Sequence, residues 1–171
     1  MAIERHDFAS AEALAEALAD AVANDLTEGI AARGAGVLAV SGGSTPKRFF
    51  KALSSHAIDW SNVFVTLVDE RWVEPSSDRS NAKLVQDLLL TGDAAHARFV
   101  PLWSGGDEPT DSAVQETNDR LGNLPLPFDA VILGMGNDGH TASFFPGGDT
   151  LDAALGDRAQ PEGGVRERAM Q

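Results

Sequence analysis

Short apolar runs alternating with helix-patterned stretches constrain this chain more than any other feature. Val37–Val40, Val63–Val68 and Phe128–Leu133 read as buried strands. Ahead of the first, Ser10 is placed to cap a helix over residues 11–32, with Glu12 near its positive end. Leu14, Leu18, Val22, Leu26 and Ile30 recur every four residues and are expected to form its buried stripe, among alanines that favour helix. Gly34 and Gly36 end it. A second helix is expected from Pro46 to about Leu53 with Thr45 as its cap, a third over Asn81–Leu90 and a fourth over residues 110–122. Phe99–Trp103 suits a further short strand. Strands separated by helices pair in parallel through helical crossovers, so the expected fold is α/β, an open, mostly parallel sheet with helices on both faces.

In such a sheet the ligand site gathers at the carboxyl ends of the strands. All three strong strands end there in chemically loaded segments, Ser41–Lys47 (SGGSTPK), Asp69–Trp72 (DERW) and Gly134–His140 (GMGNDGH). In the first, Gly42, Gly43, Ser44 and Thr45 offer amides and hydroxyls to a phosphate and Lys47 adds charge; an ordinary tight turn before a helix fits the same letters. It is not a Walker loop. In the second, Arg71 suits a phosphate or a developing oxyanion, or else a local ion pair with a neighbouring acid such as Asp69. Arg79, in the polar loop that follows, is open between substrate contact and a solvated surface charge.

The third segment spells G-x-G-x-x-G, yet it follows three earlier candidate strands and has no convincing strand downstream, which argues against a dinucleotide site. Its significant residue is His140. A histidine in a glycine-rich turn beyond a parallel strand, with Asp138 two residues before it, suits a general acid/base. His6, His56 and His96 lie in ordinary surroundings, and no second histidine sits at a helical ligand spacing, so no metal site is expected.

Composition narrows the partners. The 171 residues suit one domain, 43% hydrophobic and 23% charged. No apolar run approaches the roughly 20 residues needed to span a bilayer, and the first twenty residues lack a signal-peptide pattern. The absence of cysteine fits a cytoplasmic enzyme. A net charge of −13 argues against nucleic acid; an anionic metabolite must be met by locally placed basic residues and amides.

SGGSTPK, TLVDERWV, the following Ser80-Asn81 and above all GMGNDGHTASFFPG together resemble 6-phosphogluconolactonases of the glucosamine-6-phosphate isomerase/6-phosphogluconolactonase superfamily, over most of residues 1–150. The isomerase/deaminase branch typically continues GHIAFNEPG; the glutamate of that motif is absent from His140–Gly147, which favours the lactonase branch. The resemblance implies a Rossmann-like fold and hydrolysis of 6-phospho-D-glucono-1,5-lactone to 6-phosphogluconate in the oxidative pentose phosphate pathway. It implies His140 as general base, Asp138 orienting it, Arg71 stabilising negative charge or binding phosphate, and Gly42, Gly43, Ser44 and Thr45 contacting the phosphate. It requires no metal or organic cofactor, and its partner is a small sugar phosphate. The alternatives are an isomerase/deaminase-like enzyme and a non-catalytic sugar-phosphate-binding module.

The resemblance also implies a later arginine-containing strand and a phosphate-associated lysine, and residues 150–171 match neither. That segment is polar and glycine-rich, and is expected to be flexible within a single 1–171 domain. A truncation, completion by another copy and a degenerate fragment all fit. Without those strands a sheet edge would stay uncovered, a route to self-association.

Overall fold

The computed structural model describes residues 4–148 and 151–155. Its elements follow the order α1 (Ala11–Arg33), β1 (Gly36–Val40), α2 (Lys47–Leu53), β2 (Val63–Leu67), α3 (Asn81–Leu88), β3 (Arg98–Val100), α4 (Asp111–Gly122), β4 (Ala130–Ile132) and α5 (Leu151–Leu155). The strands pair in parallel in the order β3-β2-β1-β4, the open α/β sheet expected. Apart from α5, the expectations for residues 150–171 lie outside the described residues.

Register fixes the core. Leu38 pairs with Val65 on one side and Ala130 on the other, so alternate residues of all four strands share a face. On it, Leu38, Val40, Val63, Val65 and Leu67 are buried against Val22 and Leu26 of α1, Phe49, Phe50 and Leu53 of α2 and Val85 of α3. On the other face Val37, Ala39 and Thr66 are buried, while Val131 is exposed. All five residues of β1 are buried, as a central parallel strand requires.

The α1 cap forms as expected, Ser10 Oγ accepting from Ala13 N at 3.1 Å, but the stripe differs. Ala15, Ala19, Val22, Ala23, Leu26 and Gly29 are buried, Leu18 and Ile30 only partly, and Leu14 is exposed. An i, i+4 row advances about 40° around the helix at each step, so five such positions cannot all face one layer. The small residues turn inward instead and let the helix approach closely.

Several boundaries also move. The α2 helix begins at Lys47 with Pro46 at its cap position and no side-chain cap, so Thr45 does not serve as one. The α3 helix stops at Leu88, and β3 is Arg98–Val100 rather than Phe99–Trp103. β4 keeps only three residues of the expected buried strand, and Val131 and Leu133 are about half exposed. Among the described residues β4 pairs with β1 alone, and this edge position leaves one flank and one face uncovered.

Two side chains tie the layers together. The Asp129 carboxylate, almost buried, accepts from Val37 N at 2.8 Å and pairs with Arg33, while its own N–H donates to the Val37 carbonyl at 2.9 Å. It joins the end of α1, the start of β1 and the approach to β4. His56 lies after α2 with Nδ1 3.0 Å from the Ala52 carbonyl and Nε2 2.9 Å from Asp20 of α1. Only the imidazolium can donate to both acceptors. The Asp20 hydrogen bond is the main cause that raises the His56 pKa, with burial opposing it and the Ala52 carbonyl adding to it.

Asp129→Ala would leave the Val37 N–H without its side-chain acceptor and Arg33 without its partner; we expect a loss of about 2–3 kcal/mol in urea unfolding. Because the His56 pKa is raised on folding, its stabilisation is full below the ordinary imidazole value and disappears as pH rises through the raised one. Solvent screening of Asp20 holds it to at most about 1 kcal/mol. The Tm deficit of His56→Gln should therefore be greatest near about pH 5.5 and fade towards about pH 8.5. A deficit independent of pH would refute the ion-pair role.

Candidate active site

Parallel pairing brings the exits of β1, β2 and β4, at Val40, Leu67 and Ile132, onto one rim. Ser41 locks two of them together. Its N and Oγ both donate to the Ile132 carbonyl at 3.0 Å, and its Oγ accepts from Gly134 N at 3.2 Å. The glycine-rich loop then closes on itself. Thr141 Oγ1 donates to the Gly134 carbonyl at 2.7 Å, and Gly136 N donates to the His140 carbonyl at 2.8 Å. A tight Thr141–Phe144 turn, with Ala142 at φ 49°, folds the chain back.

That turn stacks Phe145 on the His140 ring, with centroids 4.6 Å apart and planes inclined by 27°. On the ring edge, His140 Nδ1 lies 2.5 Å from Asp138 Oδ1, which also accepts from His140 N at 3.3 Å. The hydrogen bond from the His140 side chain, followed by that from its amide, holds the Asp138 carboxyl below the usual carboxylate range. An ionised Asp138 can only accept, so the neutral imidazole carries its proton on Nδ1 and keeps a lone pair on Nε2. This is the arrangement of a general base with its orienting acid.

A cleft of about 270 Å³ separates the His140–Phe145 turn from the Asp69–Val73 exit of β2, with Arg79 on its wall. Asp69, Arg71, Arg79 and His140 thus meet in one place. Burial raises the Asp69 carboxyl, opposed by the positive charge of Arg71; Glu70 reinforces the rise and His140 opposes it. The ion pair open to Arg71 does not form with any described residue. Its Nη1 instead donates to the Arg79 carbonyl at 3.3 Å, which leaves both guanidinium groups without a carboxylate partner among the described residues.

The other candidates stand apart. Gly42, Gly43, Ser44, Thr45 and Lys47 follow β1 on the same rim but do not line the cleft, and all but Gly42 are exposed. Gly42 has a packing reason to be glycine, since a Cβ there would lie 1.8 Å from Asn81 Oδ1. Asn81 is buried, donates from Nδ2 to the Asp69 carbonyl at 3.0 Å at the β2 exit and packs against Gly42 at the β1 exit. Among the described residues no group of three or more histidines and acids could hold a metal ion.

The sequence reading missed Glu70 and Phe145. Glu70 is buried, its carboxylate turned to the start of α3 and away from solvent, and only the Ser80-Asn81 cap ten residues on hints at its target. Phe145 is one of two adjacent phenylalanines in the turn, which marks the pair for packing but does not say which of them meets His140.

The sequence pattern of the family described as glucosamine-6-phosphate isomerases/6-phosphogluconolactonase matches residues 9–162. A 6-phosphogluconolactonase of Rhizobium meliloti is 54% identical over 169 residues, 99% of this chain and 72% of the relative. One of Mesorhizobium japonicum is 55% identical over 130 residues, 76% of this chain and 54% of the relative. The crystal structure of a 6-phosphogluconolactonase from Shewanella baltica superposes with a TM-score of 0.83 at 46% identity, over 87% of this chain and 64% of that one. The chain therefore spans between about half and three quarters of the length of these relatives.

Gly136 supplies the space for the imidazole. A Cβ there would lie 2.3 Å from His140 Cε1 and Nδ1 and 2.7 Å from Asp138 Oδ1. Gly136→Ala should break the Asp138–His140 hydrogen bond, removing the downfield Nδ1 proton signal in NMR spectra. The global stability should fall by no more than about 2 kcal/mol, because the loop lies outside the core. An unchanged signal would contradict the crowding.

Proposed function

The chain belongs to the glucosamine-6-phosphate isomerase/6-phosphogluconolactonase family, and from that premise we propose that its cleft hydrolyses 6-phospho-D-glucono-1,5-lactone to 6-phosphogluconate. The observation that carries this reading is the Asp138–His140 pair facing two guanidinium groups free of carboxylate partners among the described residues. Lactone hydrolysis needs a base for water, an acid for the departing ring oxygen and a counter-charge for the tetrahedral oxyanion. A phosphorylated substrate needs, besides, a cationic anchor.

In this scheme His140 Nε2 takes a proton from water as the water oxygen bonds to the lactone carbonyl carbon, whose π electrons move onto the carbonyl oxygen. Asp138 accepts from Nδ1 throughout and stabilises the imidazolium. Collapse of the intermediate breaks the bond to the ring oxygen, which receives the proton from Nε2, and the product carboxylic acid ionises in water. Phe145 holds the imidazole plane by stacking. Arg71 stabilises the oxyanion or the phosphate, and Arg79 contributes to the phosphate anchor. Gly42, Gly43, Ser44, Thr45 and Lys47 extend the anion surface along the rim from the β1 exit, and Asp69 contacts substrate hydroxyls. The scheme uses no metal or organic cofactor.

The same reading places the reaction in the oxidative pentose phosphate pathway in the cytoplasm, acting on a small sugar phosphate. No helix among the described residues is long and apolar enough to cross a membrane. The identity to the rhizobial 6-phosphogluconolactonases supports the lactonase branch over the isomerase branch, as does the residue pattern of His140–Gly147.

His140→Ala should lower kcat for the phosphorylated lactone by about 10²–10⁴-fold, after correction for spontaneous opening, with little change in KM or in circular dichroism. Near-normal turnover in a folded variant would remove His140 from the chemistry. Ammonia release from glucosamine 6-phosphate by the wild-type chain, without lactone hydrolysis, would favour the isomerase/deaminase branch instead.

A further inference from the structure

Glu70 lies in the wall of the cleft yet has no capacity left for a substrate. It is 6% exposed, and both of its oxygens are engaged. Oε1 accepts from Arg71 N at 2.8 Å and Asn81 N at 2.7 Å; Oε2 accepts from Ser80 Oγ at 3.1 Å and Ala82 N at 2.8 Å. A carboxylate offers about four lone-pair sites, so these four donors saturate it. It can neither abstract a proton nor bind a hydroxyl without first giving up a partner.

Its partners lie at the two ends of one loop. Arg71 opens the segment, and Ser80, Asn81 and Ala82 close it at the start of α3, where unpaired amides and the helix dipole favour a negative group. Between these ends the loop contributes Arg71 and Arg79 to the cleft, and Arg71 Nη1 holds the Arg79 carbonyl. The separation of two guanidinium groups therefore depends on one buried carboxylate that touches neither of them.

We propose that Glu70 is a positioning residue that sets Arg71 and Arg79 as a two-guanidinium clamp for the phosphoryl group of the substrate. This rests on the lactonase reading of the same cleft. The His140 turn is anchored separately, through Ser41 and Thr141 to the β4 exit, so the clamp and the base answer to different supports. Loosening the clamp should weaken substrate binding while the chemistry of the bound substrate persists. Glutamine cannot replace the carboxylate, because its amide NH2 would face backbone N–H donors.

The experiment compares kcat and KM for 6-phospho-D-glucono-1,5-lactone in the wild-type chain, Glu70→Gln, the milder Ser80→Ala and the remote Asp129→Asn. Glu70→Gln should raise KM by about 10- to 100-fold with kcat within about 3-fold, a displacement effect on binding. Ser80→Ala, which removes one of the four donors, should shift KM in the same direction by a smaller factor, and it provides the reading if Glu70→Gln does not fold. Asp129→Asn should lower the folded fraction, and so apparent kcat, without moving KM. Loss of kcat at constant KM in the Glu70 and Ser80 variants would mean that Glu70 supports only the folded fraction or the oxyanion contact of Arg71, and would overturn the phosphoryl clamp alone. A wild-type chain inert towards the lactone would overturn the lactonase reading and this role with it.

Discussion

The arrangement of this protein depends on one strand having parallel partners on both sides. β1 is wholly buried, and its register places the exits of β2 and β4 beside its own. Everything chemical follows from that adjacency. Residues separated by about seventy positions in the chain, Asp69–Arg71 and Asp138–His140, face each other because the strands before them point the same way. Antiparallel pairing of the same strands would have sent them to opposite ends of the sheet. Ser41 and Asn81 then convert the adjacency into fixed geometry, Ser41 by hydrogen bonds from the β1 exit to the β4 exit and Asn81 by a hydrogen bond to the β2 exit while it packs against Gly42 at the β1 exit.

Charge is handled locally in an otherwise repulsive chain. At a net charge of −13 the protein opposes an anionic metabolite at long range, but screening limits that opposition to about 8–10 Å at ordinary ionic strength. Inside that distance the cleft differs from the rest of the surface. Arg71 and Arg79 have no carboxylate partner among the described residues, the Glu70 carboxylate is saturated by donors, and burial pushes the Asp69 carboxyl towards its neutral form. Under the proposed function, the clamp is thus free of a direct carboxylate contact among the described residues, while Asp69 and Glu70 act on it only across space.

Legibility in the sequence varied with the range of the interaction. Strands and helices came through because apolar runs and caps act over a few residues: Ser10 caps the helix it precedes as expected, whereas Thr45 does not cap α2. The four-residue row on α1 misled, since drift around the helix carried Leu14 to solvent and turned Ala15 and Ala19 inward. The Asp138–His140 pair was visible because its members are two residues apart. Glu70 was not, because the identity of its acceptor role depends on amides eleven and twelve residues away. Gly42 shows the same limit, as its contact is with a side chain on another element.

By itself the sequence determined the alternation of strand and helix, and hence a parallel sheet whose strand ends share a rim. It also determined the histidine and its acid, because both are fixed by spacing along the chain. The tertiary structure decided which cations face that histidine, separating Arg71 and Arg79 in the cleft from Lys47 outside it. It also decided that Arg71 has no carboxylate partner among the described residues while Glu70 caps a helix. The physical reason is that a charge chooses its partner by distance in space and by competition among all acceptors within reach, and neither quantity exists until the strands have paired.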